Sequence, residues 1–212
     1  KSNKFFLVII FFTLNTLLFP ISLSTIKGLN RLSNYNEIKD ISVDNIASSD
    51  EIERINGIVV YVKNNKIFNG VLIARKYGQN ITGIYFYKNG KNYGIANSYY
   101  ENGQLYLTGN YVNDKIEGKS FEYYLNGKLK YEYISASDKL EDLKMQDYYI
   151  EYFDNSEQIK LSCNELSKGN WRCKEYSKNG NFKREFDSPT FRSPNDWSFG
   201  INALLGIINI LF

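Results

Sequence analysis

Gly94-Ile-Ala-Asn-Ser-Tyr-Tyr-Glu-Asn-Gly-Gln-Leu105 and Gly118-Lys-Ser-Phe-Glu-Tyr-Tyr-Leu-Asn-Gly-Lys-Leu129 are two versions of one phrase, set 24 residues apart. Each has a glycine, a tyrosine pair, Asn-Gly and a leucine in the same order. The same step separates Gly70 from Gly94, Asn102-Gly103 from Asn126-Gly127, and Asn155-Ser156 from Asn179-Gly180, while a looser copy runs on from Gly169. A fixed period of this length marks a repeat architecture, in which each unit buries its apolar face only against its neighbours. Between Asn126 and Asn155 the phase slips by five residues. The slip falls at 135–147, where Asp138, Glu141, Leu140 and Leu143 predict a short helix or an excursion loop.

Asn-Gly between alternating apolar residues predicts a β-hairpin. A two-residue loop at Asn126-Gly127 would mix the faces by setting Tyr124 opposite Leu129 and Glu122 opposite Tyr131. A three-residue loop over 125–127, with Gly127 left-handed, separates them. Tyr123 then meets Leu129 and Phe121 meets Tyr131 on one face, while Tyr124 meets Lys128 and Glu122 meets Lys130 on the other. The preceding copy pairs Tyr99 with Leu105 and Tyr100 with Gln104 in the same way. Hairpins of this kind must stack edge to edge into one antiparallel sheet. The expected face opposite the aromatics is a solvated one of Lys, Glu, Asn and Ser.

The pattern Gly-x-x-x-x-Tyr-Tyr-x-Asn-Gly-x-Leu, followed by an aromatic strand, an Asn-rich turn and another Gly, resembles the bacterial variant of the MORN repeat. Upstream, Ile52-Glu-Arg-Ile-Asn-Gly-Ile-Val-Val-Tyr61 and Lys66-Ile-Phe-Asn-Gly70 resemble the lead-in of YwqK-type antitoxin components. Three positions depart from the pattern: Asn69 stands where Thr is usual, Ile67 where Pro is usual, and Arg75-Lys76-Tyr77 replaces the aromatic pair. The resemblance covers residues 51–186 and implies a mainly all-β chain, an elongated antiparallel sheet of stacked MORN-like hairpins. Such proteins are implied to be contact surfaces for proteins or lipids, and the family carries no catalytic residues over. Gly70, Gly94, Gly103, Gly118, Gly127, Gly169 and Gly180 are the expected structural turn residues.

The composition narrows the chemistry. Among 212 residues there is no histidine, so neither a histidine-activated nucleophile nor a histidine-ligated metal is available. Two cysteines fall short of a structural zinc site. No metal and no cofactor are expected. Glu122, Glu132, Glu175 and Glu185 lie among Lys and Arg and read as cross-strand ion pairs rather than glycosidase carboxylates. Cys163 and Cys173 flank 167–169. If those three residues form a loop with Gly169 left-handed, Leu166 meets Asn170 and the two cysteines fall opposite each other, within reach of a disulfide; two free buried thiols are the alternative.

The first segment reads as an address. Lys1 and Lys4 precede an apolar run over 5–19, then Pro20 and the small residues Ser22 and Ser24. This predicts a signal helix cleaved between Ser24 and Thr25, with an uncleaved membrane anchor as the alternative. No Cys follows the run, which closes the lipoprotein route. Cleavage would remove Lys1 and Lys4 and take the net charge from +3 to +1. A near-neutral surface with interspersed signs argues against nucleic acid. The expected organisation is a signal peptide over 1–24, a polar lead-in over 25–50, the hairpin repeats over 51–190 and an apolar tail over 191–212. In the tail, Ile201, Leu204, Leu205, Ile208, Leu211 and Phe212 fall on one helical stripe. That short C-terminal helix would cap the sheet, lie on a membrane or dock a partner.

These readings converge on an exported, non-enzymatic scaffold or adhesin-like component, in the periplasm, at the cell surface or outside the cell. It would bind a protein partner, with lipid or glycan as further possibilities. Tyr85, Tyr87, Tyr99, Phe121, Tyr123, Tyr131 and Tyr133 are the candidate platform; the same rings would equally serve as the buried face of the repeats. An antitoxin-like partner that neutralises a toxin is the alternative function implied by the resemblance.

Overall fold

The computed structural model describes residues 20–76, 80–135, 148–154, 156–167 and 170–188. The leader as far as residue 19, the excursion at 136–147, Asn155, Gly169 and the tail at 191–212 lie outside the described residues. The chain begins with β1 (Ile21–Ser22), 3-10 turns at Leu23–Thr25 and Leu29–Arg31, and α1 (Tyr35–Ile38). Short strands β2 (Ser42–Val43) and β3 (Ile46–Ser48) follow, then the hairpin β4 (Ile52–Ile55) and β5 (Ile58–Tyr61). The repeats supply β6 (Gly70–Lys76), β7 (Asn80–Lys88), β8 (Lys91–Tyr99), β9 (Leu105–Val112), β10 (Lys115–Tyr123) and β11 (Leu129–Ser135). Beyond the phase slip come β12 (Tyr148–Tyr152), β13 (Ile159–Ser167), β14 (Asn170–Tyr176) and β15 (Phe182–Ser188). From β6 to β15 each strand pairs antiparallel with the next, and β3 adds in parallel beside β6, making one sheet of 11 strands.

Two kinds of turn alternate along this sheet. Gly103, Gly127 and Gly180 close three-residue loops with positive φ. At Gly127 the loop is fixed by Tyr124 N–H donating to Lys128 O (2.8 Å) and by Gly127 N–H donating to Tyr124 O (2.9 Å). At Gly103 and Gly127 the preceding asparagine adds a side-chain bond to the turn, and at Gly180 the Ser177 hydroxyl oxygen does so by accepting from Asn181 N–H (3.1 Å). Asn102 Oδ1 accepts from Gln104 N–H (3.0 Å) and Asn126 Oδ1 from Lys128 N–H (2.9 Å). The intervening turns have two residues, Asn89-Gly90 and Asn113-Asp114, with positive φ at both positions as type I′ requires. Gly70, Gly94 and Gly118 also have positive φ, but they sit within strands, Gly94 and Gly118 where the register shifts, so they are not turn residues. A constant spacing does not distinguish a turn glycine from a bulge glycine.

The register differs from expectation in two hairpins. Tyr123 faces Leu129 and Tyr99 faces Leu105, but Phe121 faces Glu132, and Glu122 faces Tyr131. The shift between Glu122 and Tyr123 leaves Lys130 as the extra residue of a bulge, so Phe121 and Tyr131 occupy opposite faces. In the β13–β14 hairpin Ser167, not Leu166, meets Asn170.

The first four repeat strands bury side chains on both faces, so the expected solvated face is reduced there to positions such as Tyr93 and Ile95 of β8 and Asn110 of β9. On one face, which we term the hairpin face, β4 and β5 bring Ile52 and Val59 against Leu72, Tyr85, Ala96 and Tyr111. On the other, Leu23, Leu29, Leu32 and Ile38 pack on Val71, Ile73, Ile84 and Tyr99. Residues 25–50 are therefore a covering layer rather than a polar lead-in. Their core leucines are separated by too many polar residues to form a readable period. β6 accordingly buries consecutive residues over 71–74, as a strand covered on both sides must. Two turns serve as clasps. Val59 N–H donates to Gly90 O (2.8 Å), and Ser33 N–H donates to Gly103 O (3.0 Å).

Farther along, the hairpin face continues through Tyr133, Tyr149, Cys163, Trp171 and Cys173, with Ile116, Tyr131, Leu161 and Phe186 against them. Cys163 and Cys173 lie directly opposite and form a disulfide.

Two stability measurements check this architecture. Gly103→Ala and Gly118→Ala both impose left-handed strain of about 1–2 kcal/mol. Only at Gly103 would the new Cβ meet Arg31 O at 2.4 Å; at Gly118 it enters open space. Gly103→Ala is therefore expected to melt well below Gly118→Ala, and equal melting temperatures would contradict the clasp. Replacing both Cys163 and Cys173 by alanine should lower unfolding free energy by about 2–3 kcal/mol, the chain-entropy value for so short a loop. Denaturant titration of the two proteins reads this directly.

Candidate functional site

The structure does not gather the seven candidate aromatics into one platform. Tyr85, Tyr87 and Tyr133 are buried on the hairpin face, at 3%, 5% and 2% exposure, and Tyr131 is half-buried beside them. Tyr99, Phe121 and Tyr123 point to the opposite face, Tyr99 beneath the N-terminal layer with its hydroxyl donating to Asn34 Oδ1 (3.0 Å). Tyr85 likewise pairs its hydroxyl with Ser98 Oγ (2.9 Å). Tyr85 and Tyr99, so deeply packed and with their hydroxyls satisfied internally, hold the fold, whereas Phe121, Tyr123 and Tyr131 stay half-buried.

A different set of tyrosines is left half-exposed where the three-residue turns line up. Tyr100 and Tyr124 occupy the same repeat position, the residue that opens the turn. Each lies across to the next hairpin. Tyr100 hydroxyl donates to Tyr123 O (2.8 Å), and Tyr124 hydroxyl donates to Tyr152 O (3.1 Å). The next copy has Phe153 there, which lacks the hydroxyl. Tyr106 stands edge-on to Tyr100 at 5.1 Å between ring centres. The two hydroxyl bonds link one hairpin to the next, the neighbour coupling that a repeat array requires.

Charge is threaded between the rings in the same rhythm. Glu122, Tyr131, Glu151, Leu161, Glu175 and Arg184 oppose one another in successive strand pairs and so form one row on the hairpin face. Each carboxylate in the row takes a cation from the adjoining bulge or strand. Lys130 reaches Glu122 at 2.7 Å, Lys160 reaches Glu151 at 2.6 Å, and Arg184 reaches Glu175 at 2.7 Å. Lys130 also lies over the rings of Tyr131 (4.8 Å) and Tyr124 (5.7 Å).

Glu122 is only 4% exposed, which corrects its expected place on a solvated face. Burial pushes its carboxyl above the usual carboxylate range, against the opposing pull of Lys130. Burial works to lower the Lys130 ammonium, but the bond and charge of Glu122 prevail and hold it at about 12. On the opposite face, Glu132 is drawn down despite its burial by Lys119 (2.8 Å) and by the Tyr148 hydroxyl (2.6 Å). Glu185 lies 3.6 Å from Arg172. The four glutamates expected to be ion-paired thus all have cationic neighbours.

A carboxylate held by a lysine or arginine is a poor proton carrier, whereas half-exposed tyrosines between fixed charges present apolar area, hydroxyls and a defined charge order. Among the described residues, no group of three or more His, Cys, Asp and Glu is placed to hold a metal ion. Sequence reading missed the strip because it sorted tyrosines by alternation alone. The available signal was the recurring glutamate-to-cation separation of eight or nine residues in 122/130, 151/160 and 175/184. No protein-family model matches the chain, and no curated protein matches it.

The buried phenols predict an alkaline transition. Burial pushes Tyr85, Tyr87 and Tyr111 up to about 12, against about 10 in an unfolded chain. A phenol raised in the folded state contributes stability that is complete below pH of about 10 and is lost as pH climbs through about 12. Tyrosinate absorbance for these groups should rise together with loss of the far-ultraviolet strand signal in that window. Full tyrosine ionisation near pH of about 10 with the sheet intact would show that the rings are not buried.

Proposed function

We propose that this protein is an exported, non-enzymatic repeat scaffold that binds a macromolecular partner, a protein in the first instance, through the half-exposed strip of Tyr100, Tyr106, Tyr124 and Tyr131. The observation that carries the reading is the geometry of that strip. Tyr100 and Tyr124 are fixed by hydrogen bonds between hairpins, Tyr106 packs edge-on to Tyr100, and Lys130 lies over Tyr131, so the strip is held in shape before any partner arrives. A pre-ordered surface loses less entropy on association, and tyrosine is the residue type that most often anchors such contacts. Paired charges of both signs favour a partner with mixed polarity over a polyanion.

The resemblance to bacterial MORN-like repeats supports the same conclusion, since those proteins are implied to act as contact surfaces. The recurring pattern of turns at a constant step is in keeping with it. The apolar leader, read from sequence, supports export.

The test is affinity capture from envelope extracts with the full chain and with a Tyr106→Ser, Tyr124→Ser variant. The expected result is a discrete partner retained by the parent and released at least tenfold more readily by the variant, with the circular dichroism of the two unchanged. Equal retention by both proteins, or no retained partner at all, would overturn the assignment of the strip.

A further inference from the structure

We infer that the chain keeps its leader: the bond between Ser24 and Thr25 is not a processing site, and the apolar run over 5–19 stays joined to the folded domain as a membrane tether. The inference deepens the exported-scaffold reading, and rests on it for the side of the membrane on which the domain lies.

The ground is what the residues before that bond do in the fold. Ile21 and Ser22 form β1 and pair with Val43 and Ser42. Leu23 is fully buried and packs with Leu29, Leu32, Ile38, Val71 and Ile73, the cluster that covers one face of the main sheet. Its N–H donates to Ile41 O (2.9 Å), and its carbonyl accepts from Ile26 N–H (2.9 Å). Ser24 N–H donates to Lys39 O (3.0 Å), Ser22 Oγ donates to the same carbonyl (3.1 Å), and Thr25 Oγ1 donates to Ser22 O (2.8 Å). The two serines that read as a small-x-small recognition pair are thus the N-cap and an inner residue of one 3-10 turn, with Ser24 N–H donating to Ser22 Oγ (3.3 Å).

A signal peptidase acts on the extended chain, so folding by itself would not shield the bond. The decisive point is the product. A chain starting at Thr25 would lack β1, leave the Leu23 site empty and strip the carbonyls of Lys39 and Ile41 of their donors. Cleavage farther upstream has no support in the residues, because 17–21 (Leu-Leu-Phe-Pro-Ile) contain no small-x-small pair and Pro20 stands at the junction. The apolar run over 5–19, broken by Thr13, Asn15 and Thr16, is 15 residues long, shorter than a usual bilayer span, and a run of that length is accommodated by local thinning of the bilayer and snorkelling of the flanking Lys1 and Lys4. Lys1 and Lys4 on its far side favour an orientation with that end inside.

The experiment expresses the full chain behind an initiating methionine in a bacterial host, separates the membranes, and measures the intact mass. The expected product is in the membrane fraction, resists carbonate extraction and has a mass that includes residues 1–24. Ser24→Leu, at an exposed position, blocks recognition of a small-x-small site. It should change the product mass only by the substitution. A wild-type product beginning at Thr25 with intact strand signal, or a longer product from Ser24→Leu than from the parent, would overturn the inference. Protease added to spheroplasts separates this from the export reading. Digestion of a leader-bearing domain supports both, whereas protection of a leader-bearing domain supports retention and refutes export.

Discussion

The register of the described sheet depends on the left-handed glycine that ends its three-residue hairpin turns. A positive φ at Gly103, Gly127 and Gly180 lets a three-residue loop close with one bulge, and it fixes which side chain opposes which for the length of the following strand. Because side chains alternate with a period of two, a slip of one residue would carry Tyr99 and Tyr123 out of the N-terminal cluster and into the row of Glu122 and Tyr131. The bulge that follows each turn has a second effect. It brings Lys130 back to the face of Glu122, so the geometry that sets register also creates the pairing of charge with tyrosine at the turn end of the sheet.

The covering layers follow from the same geometry. β6 to β9 each bury side chains on both faces, and the chain covers them with two separate pieces: the N-terminal residues and the β4–β5 hairpin. Each piece is held by backbone bonds to a turn, at Gly103 and Gly90, where the close approach excludes any side chain. Beyond β10 the buried cluster is built from the strands' own side chains around the Cys163–Cys173 disulfide. The array is therefore graded, from a three-layered end to an end where the covalent bridge joins adjacent strands.

Much of the fold is legible in the sequence, and the failures have identifiable causes. The step of 24 residues, the three-residue loop at Gly127, and the pairs Tyr123 with Leu129 and Tyr99 with Leu105 are all readable, because turn chemistry and alternation are local. The partner of Phe121 was not, since a bulge one residue past the turn reverses the faces without changing composition. Residues 25–50 read as polar, for Leu29, Leu32 and Ile38 are too sparse to declare a face until the sheet they cover is present. For the site, the pair of Glu122 with Lys130 was readable from the three-residue loop, whereas the cation partners of Glu132, Glu175 and Glu185 were readable only as residue types. The buried state of Tyr85 and Tyr133, against the half-exposed state of Tyr100 and Tyr106, had no sequence signature.

By itself the sequence determined the unit: a strand, a glycine-ended turn and a second strand, repeated, with cysteines placed to meet across one hairpin. Those features depend on torsion preferences and on contacts between residues close along the chain, and both are written in short stretches. Only the tertiary structure decided which tyrosines are core and which are surface, that Leu23 belongs to the folded domain, and that Glu122 is buried against Lys130. Each of these depends on what comes to lie over a given face from tens of residues away, and burial is a property of the assembled layers that no single hairpin possesses.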